Sequence, residues 1–440
     1  MKIQKFGGTS VGSAQRMKEV VKLIGKNESS LVVLSAMAGT TNALIEIADY
    51  FARGNRESAA AMIGKLYTKY MCHIDELYST EKMREKTRTF INDNIFKVLL
   101  SYKKSDFTPE MAKEIVSLGE IMSTNMLVNY CNEQGMNAVL LNALDFMRID
   151  QYTEPDIHHL RETLMPLLKQ HSDAQYFITQ GFICLNHEGK VDNLQRGGSD
   201  YTASLIGAAI KADVIEIWTD IDGMHNNDPR FVEGTQPVHH LHFEEAAELA
   251  YFGAKILHPT CVLPAKAAGI PVKVLNTMQP DAEGTIIDNI FDPGQIKAIA
   301  AKDNITTVKI VSTRMLLQTG FLRKVFEIFE TYNTPIDVVT TSEVGISMSI
   351  DKIDQLANIV HELKQYGTVV VDQDMCIICV VGDLRSKNIG FESAITNALR
   401  DIPIRMISFG GSEHNISFLV SQQDKQAALK ALSKELFKKS

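Results

Sequence analysis

The sequence predicts an α/β architecture: an open, mostly parallel sheet sandwiched by helices, followed by two βαββαβ units of ferredoxin type. Two observations predict the first part. Short apolar strands run into small-residue loops that open into helices, which is the βα unit of an open sheet. Four such loops, "KFGGTS", "SAMAGTTN", "RGGSD" and "TDIDG", recur before residue 225. A third observation predicts the rest. Gly320 and Phe321 recur as Gly390 and Phe391, Ser342 and Glu343 as Ser412 and Glu413, and Ile346 and Ser347 as Ile416 and Ser417, always 70 residues apart. Each copy reads strand, "GF" helix, strand, "SE" turn, strand, helix.

Taken in order, "IQKF" is a short strand, and Met17, Val20, Val21 and Ile24 then fall at i, i+3, i+4, i+7 of an amphipathic helix. Leu31 to Leu34 is a parallel-type strand, followed by a turn at Gly39 and a helix after Asn42. From about Tyr50 to Tyr130 the chain reads as a helical layer, with Glu120 a polar insertion near a helix start. Strands return at "NAVLLNA" and "AQYFITQGFIC"; "RGGSD" then opens the helix "YTASLIGAAIKA", and "VIEIWTD" is the next strand. The helical stretch "EEAAELAYFGAKILHP" and the strand "IPVKVLN" complete a first domain, expected over 1–292, with "FDPGQ" as its linker. The repeats are expected as domains over 300–372 and 373–440, an association and binding module without catalytic spacing.

Composition narrows the function classes. A chain of 440 residues with 45% hydrophobic content holds two or three domains with substantial cores. A net charge of -8 and dispersed lysines argue against a nucleic-acid partner. Without an apolar run of membrane length or a signal-peptide pattern, no membrane partner and a cytoplasmic location are expected. Six cysteines make no disulfide framework. Cys376 and Cys379 lie in the apolar run "MCIICVVG", where residues three apart on a strand point to opposite faces and cannot share an ion. His239, His240 and His242 of "VHHLHF" could put two imidazoles on one strand face; no third ligand is suggested nearby, so they read as a solvated loop or strand end, and no protein metal site is assigned.

The four loops carry the chemistry. Glycine lets backbone N–H groups approach an anion, and the following helix presents its positive end. Repeated around one sheet, this argues for a polyanionic ligand such as a nucleoside triphosphate. "KFGGTSVGS" is not a Walker loop: Gly7 and Gly12 have the spacing, but Lys5 precedes the glycines. Lys5, Arg196 and Lys255 supply positive charge at the loops, and Glu120, Asp200 and Asp220 supply carboxylates. Phosphoryl transfer needs chiefly such positioning and charge neutralisation. No Ser-His-Asp arrangement or G-x-S-x-G elbow competes.

"KFGGTSV", "SLGEIMST", "QRGGSDYTASL", "TDIDG…DPR" and "FGAKILHP", in that order, resemble the aspartate kinases of the amino-acid kinase family, and the repeat resembles their paired ACT domains. The resemblance covers essentially the whole chain and stops after the second ACT unit, as in a monofunctional enzyme. It implies ATP-dependent phosphorylation of the side-chain carboxylate of L-aspartate to 4-phospho-L-aspartate, the first step toward lysine, threonine and methionine, with Mg2+. It implies that Lys5 and Asp200 are catalytic, and that Ser35, Thr41, Glu120, Arg196 and Ser199 bind substrate, Glu120 at the α-amino group and Arg196 at the α-carboxylate. Gly7, Gly8, Thr9, Ser10, Thr219, Asp220, Arg230 and Lys255 then contact the nucleotide. His225, Asn226 and Asn227 replace an aromatic residue and two threonines common before "DPR", which would alter adenine stacking.

The first ACT copy resembles the lysine-sensitive class, which implies an effector pocket of Met315, Gly320, Phe321, Leu322, Asp337, Ser342 and Glu343. Leu317 and Gln318 depart from well-known lysine-inhibited members, so threonine control competes. A homodimer through the ACT domains is expected. The rival readings are another kinase of this fold, acting on glutamate, carbamate or uridylate, and a non-catalytic amino-acid sensor.

Overall fold

The computed structural model describes residues 1–440 except 27–28, 105, 195–196, 254–256, 317–318, 386–387 and 438–440. The chain falls into two compact units, Met1–Met224 with Ile256–Asn289, and His225–Lys255 with Ile290–Ser440.

In the first unit β1 (Lys2–Phe6) runs through the glycine loop to α1 (Ala14–Ile24), whose start is capped by Ser13, its side chain accepting from the Arg16 N–H. The residues at helical spacing, Met17, Val20, Val21 and Ile24, are the ones buried. Next come β2 (Ser30–Leu34) and α2 (Thr40–Ala52), then a helical layer of α3 (Arg56–Leu77), α4 (Glu81–Ile91), α5 (Lys97–Ser101) and α6 (Pro109–Glu133). β3 (Ala138–Leu141), α7 (Ile157–Gln170) and β4 (Tyr176–Gln180) follow. The expected strand "AQYFITQGFIC" breaks at Gly181 and Phe182, and its second half pairs instead as a hairpin, β5 (Ile183–Leu185) with β6 (Val191–Asn193). α8 (Gly198–Ile210) and β7 (Val214–Thr219) complete the pattern. The stretch that carries β8 (His240–His242) and α9 (Phe243–Tyr251) belongs to the second unit, and α10 (Leu263–Ala268), β9 (Val272–Asn276) and β10 (Thr285–Asp288) to the first.

Within the first unit the strands run in the order β3-β4-β2-β1-β7-β9-β10. All are parallel except β10, which turns back along β9. β1 lies at the centre, with β2 on one side and β7 on the other. That reversal of strand order opens a crevice at the strands' carboxyl ends. Phe6, Leu34, Leu44, Ile47, Tyr70, Met122 and Met126 share the core beneath it, each almost without solvent exposure. Each such large apolar side chain contributes about 1.5–3 kcal/mol by burial.

The second unit continues through β11 (Ile296–Val311), α11 (Phe321–Thr331), β12 (Val338–Thr341), β13 (Gly345–Ile350), α12 (Leu356–Leu363), β14 (Thr368–Gly382), α13 (Phe391–Ala398), β15 (Ile404–Ser408), β16 (Asn415–Ser421) and α14 (Lys425–Leu436). They form one antiparallel sheet ordered β12-β13-β11-β14-β16-β15. The 70-residue repeat is visible in its parts: α11 and α13 each start from a left-handed glycine, Gly320 at φ 85° and Gly390 at φ 98°.

The copies are not simply consecutive. β11 and β14 pair from Ile296↔Gly382 to Val311↔Thr368, with irregularities between Lys302 and Thr307 that divide both strands in two. The second copy therefore takes the early half of β11, which precedes the first copy in sequence, as its remaining strand. Cys376 and Cys379 are buried on β14, and only Cys376 shares a core with Ile378 and Val380, so the two thiols point to opposite faces. Burial pushes the Cys376 thiol up to about 12. Among the described residues no helix is long and apolar enough to cross a membrane.

Candidate active site

Lys5, in the last turn of pleat of β1, is buried, with its Nζ 2.6 Å from Asp200 Oδ1. The glycines after it set how closely the next loop can approach. A Cβ on Gly8 would stand 2.8 Å from the Ala36 carbonyl oxygen, while Ala38 N–H donates to the Gly8 carbonyl at 3.0 Å. The loop after β1 is thereby laid directly on the loop after β2.

Two helices start at this point. α2 follows Gly39 at φ 76° and α8 follows Gly197 at φ 74°, each a left-handed position that suits glycine. Gly197 is also sterically required, because a Cβ there would come within 2.5 Å of Cys261 Sγ. Their first residues, Thr41 and Asn42 on α2 and Gly198, Ser199 and Asp200 on α8, line the same cavity. First-turn N–H groups without helical acceptors and the positive helix ends make such a space electropositive.

Glu120 closes the cavity from α6. It stands in the middle of that helix and not near a start, because the small residues of "SLGE" serve a close approach and not a break. A Cβ on Gly119 would lie 2.8 Å from the Ala36 side chain. Glu120 is 3% exposed, its Oε1 accepts from the Ala36 N–H at 3.1 Å, and its Oε2 is buried without a partner. Burial pushes its carboxyl up to about 7, against the opposing pull of the Ala36 hydrogen bond.

The cavity, about 690 Å³, is thus lined by Lys5, Gly8, Thr9, Ser35, Thr41, Glu120, Ser199 and Asp200 of the expected set. Its volume suits a small-molecule ligand. Gly7, Ser10, Thr219 and Asp220 lie outside this lining. Gly7 N–H donates to the Trp218 carbonyl, Ser10 Oγ lies 2.7 Å from Thr277 Oγ1, and Thr219 ends β7 with its hydroxyl on Asp220. Arg230 belongs to the second unit, where it is exposed and forked onto Asp228 at 2.6 Å. Arg196 and Lys255 lie outside the described residues.

Sequence reasoning passed over Met37, Asn42, Phe182, Asn193 and Leu194, which also line the cavity. Phe182 holds φ 71° at the break between β4 and β5, where its N–H donates to Thr202 Oγ1 and its ring lies where a Cβ on Gly198 would be. The "QGF" after an apolar strand was the available signal. Lys69 of α3, also passed over, donates to the Ala38 carbonyl at 2.8 Å.

Of the expected effector residues, Gly320, Phe321 and Leu322 form the start of α11, with Met315 partly buried against the same core. Ser342 and Glu343 are in the exposed turn between β12 and β13. Asp337 is already engaged: its Oδ1 accepts from Lys302 Nζ at 2.6 Å and from the Tyr251 hydroxyl at 2.7 Å. Lys302 also pairs with Asp351 at 3.0 Å and lies over the Tyr251 ring. Leu317 and Gln318 lie outside the described residues. His225 and Asn226 hold the turn facing Thr235 and Gln236, and buried Asn227 donates to the Leu429 carbonyl at 3.2 Å.

The sequence profile of the amino acid kinase family matches residues 1–276, and an ACT domain profile matches residues 378–436. The lysine-sensitive aspartokinase 3 of Escherichia coli is 34% identical, over 99% of both chains. The crystal structure of E. coli aspartokinase III in complex with aspartate and ADP, in its R-state, superposes with a TM-score of 0.84 at 33% identity and full coverage of both chains. The same enzyme with lysine and aspartate, in its T-state, gives 0.82, again over both whole chains at 33% identity.

Proposed function

This chain belongs to the amino acid kinase family, among its aspartokinases, and on that footing we propose how its own residues carry out the reaction and its control. The reaction is transfer of a phosphoryl group from ATP to the side-chain carboxylate of L-aspartate. A bond forms between the γ-phosphorus and a carboxylate oxygen, the bond to the bridging oxygen breaks, and its electron pair leaves with ADP. The acceptor carboxylate has an ordinary pKa near 3.9, so it attacks as the anion and needs no general base. Its difficulty is repulsion from the triphosphate.

Lys5, held toward the cavity by Asp200, is the cation that relieves this repulsion as charge moves off the γ-phosphate. The N–H groups at the starts of α2 and α8, with Thr9, Ser35, Thr41 and Ser199, orient phosphates and acceptor. Glu120 Oε2 receives the substrate's α-ammonium, and Arg196 its α-carboxylate. Gly7, Gly8, Ser10, Thr219, Asp220, Arg230 and Lys255 serve the nucleotide. The hard oxygen donors of Asp200, Thr9 and Ser199 fit Mg2+, which Asp200 would hold together with the phosphates. When bound, the ion supplies charge neutralisation on the transferring group.

The observation that carries this assignment is Glu120: a buried carboxylate with one oxygen satisfied and the other bare, in a cavity shared with a buried lysine. An unmade bond of that kind awaits a cation. ADP release measured with aspartate, glutamate, carbamate and uridylate as acceptors tests it. Turnover on aspartate alone is expected, while preference for another acceptor, or lysine binding without turnover, would overturn it.

Lysine is the proposed effector, acting on the first ACT copy around Met315, Gly320–Leu322, Asp337, Ser342 and Glu343, in a cytoplasmic homodimer joined by the ACT domains. The lysine-sensitive relative and the lysine-bound T-state structure support this choice over threonine. The domains are proposed as 1–292, 300–372 and 373–440, the last completed by the early half of β11. Inhibition requires lysine to bind the inactive state more tightly than the active one.

A further inference from the structure

We propose that His242, Glu244 and His414 form a binding site for a zinc-class divalent cation in the second unit, independent of the kinase site. From "VHHLHF" alone a third ligand was missing; folding brings it from the turn before β16. One ligand atom from each of the three residues lies within 4.8 Å of the others, and His414 Nε2 is 2.7 Å from Glu244 Oε2. The His414 side chain is 8% exposed, with its Nδ1 buried and unpartnered. Phe291 walls the cluster, its ring 4.8 Å from that of His242 and 5.1 Å from that of His414.

The donor set selects the ion. Two imidazoles and one carboxylate suit zinc and its transition-metal neighbours, whereas magnesium and calcium take oxygen ligands. At bond lengths of about 2.0–2.2 Å, tetrahedral ligand atoms stand about 3.3 Å apart. Contraction from the present spread is within reach of the Glu244 side chain, which is 46% exposed on a short turn of helix. Among the described residues, Glu245 is buried beside it with Oε2 on the His242 N–H and Oε1 unpartnered, while the cations Lys297 and Arg385 are each paired, with Asp292 at 2.5 Å and Asp383 at 2.6 Å. The three protein ligands leave a fourth position for water. The ion would tie the start of α9 to the second ACT copy, two segments distant in sequence.

The full chain, stripped by chelator, is titrated with zinc alone by calorimetry, and cobalt(II) is added separately for its visible absorption. One zinc per chain, a tetrahedral cobalt spectrum and a zinc-dependent rise in melting temperature are expected. Glu244→Gln, at a half-exposed position, and His242→Asn should each weaken zinc at least tenfold and abolish the cobalt signal while their metal-free melting stays near that of the parent. Failure of the parent chain to bind zinc, or equal binding by the parent and both variants, would overturn the site.

Discussion

Glu120→Gln separates the cost of an empty site from the use of that site. The substitution keeps shape and can keep the hydrogen bond from Ala36 N–H, but removes the ionisation. The carboxyl sits at about 7 against an ordinary 4.5, a gap that corresponds to about 3 kcal/mol. The folded protein therefore holds this proton more tightly than the unfolded chain, so its contribution to stability is fully present below pH 4.5 and is lost as pH rises toward 7. At pH 8.5 Glu120→Gln should melt higher than the parent by up to about 3 kcal/mol of stability, and at pH 4.5 the two should coincide. Aspartate binding should move the opposite way. Loss of a charge-assisted bond worth about 1.5–3 kcal/mol raises the aspartate KM roughly 10- to 150-fold. In the parent, aspartate affinity should fall about tenfold per pH unit below 7, because the ammonium requires the ionised carboxylate; in the variant that slope disappears. Paired melting curves and aspartate saturation at pH 6, 7 and 8.5 test both. An unchanged KM in the variant, or a persisting slope, would refute the role given to Glu120.

Three further outcomes are expected. Lys5→Ala should lower kcat by at least about 10²–10³, the effect of losing one preorganised charge donor, with circular dichroism unchanged; near-normal turnover would remove Lys5 from the mechanism. Gly8→Ala places a Cβ 2.8 Å from the Ala36 carbonyl oxygen, so the two loops must part, at about 1–3 kcal/mol; differential scanning calorimetry and a rise in KM for both substrates check this. Lys302→Met frees Asp337 from its internal ammonium, and half-inhibition by lysine should then need several-fold less effector; an unchanged inhibition curve would mean that the effector does not use Asp337.

Much of the fold was legible because periodicity and loop chemistry are local. The α1 spacing returned as a buried stripe, and the repeat pairs returned as matching left-handed glycines at Gly320 and Gly390. What was not legible depends on pairing over distance. Nothing in the order of "KAIAAKDNITTVKIV" says that one strand serves two repeats; that follows from the irregular register after Lys302, beyond which β11 keeps β14 on one side and gains β13 on the other. The break in "AQYFITQGFIC" likewise depends on Phe182 taking a left-handed conformation against α8, which no single-residue preference suggests.

At the site, residue types and loop positions pointed to Lys5 and Asp200, and the family resemblance to Ser35, Thr41 and Ser199; the fold gathers all five around one cavity, because each ends or follows a strand or starts a helix at the same edge of a parallel sheet. Glu120 needed a different kind of information. A mid-helix glutamate among small polar residues such as Ser117, Ser123 and Thr124 reads as an insertion, and its meaning comes from Gly119, which lets α6 approach Ala36 closely enough for the neighbouring carboxylate to be sealed from water. The same absence of a Cβ that brings the helix close raises the carboxyl toward neutrality, so the packing that positions the residue also makes it sensitive to pH. The Asp337–Lys302–Tyr251 cluster differs in one respect. There Oδ1 is already matched with an internal cation while Oδ2 is buried without a partner. A ligand ammonium would take the bare oxygen beside a resident lysine, and the repulsion between the two cations would leave it a smaller gain than at a carboxylate whose partner is only a backbone N–H.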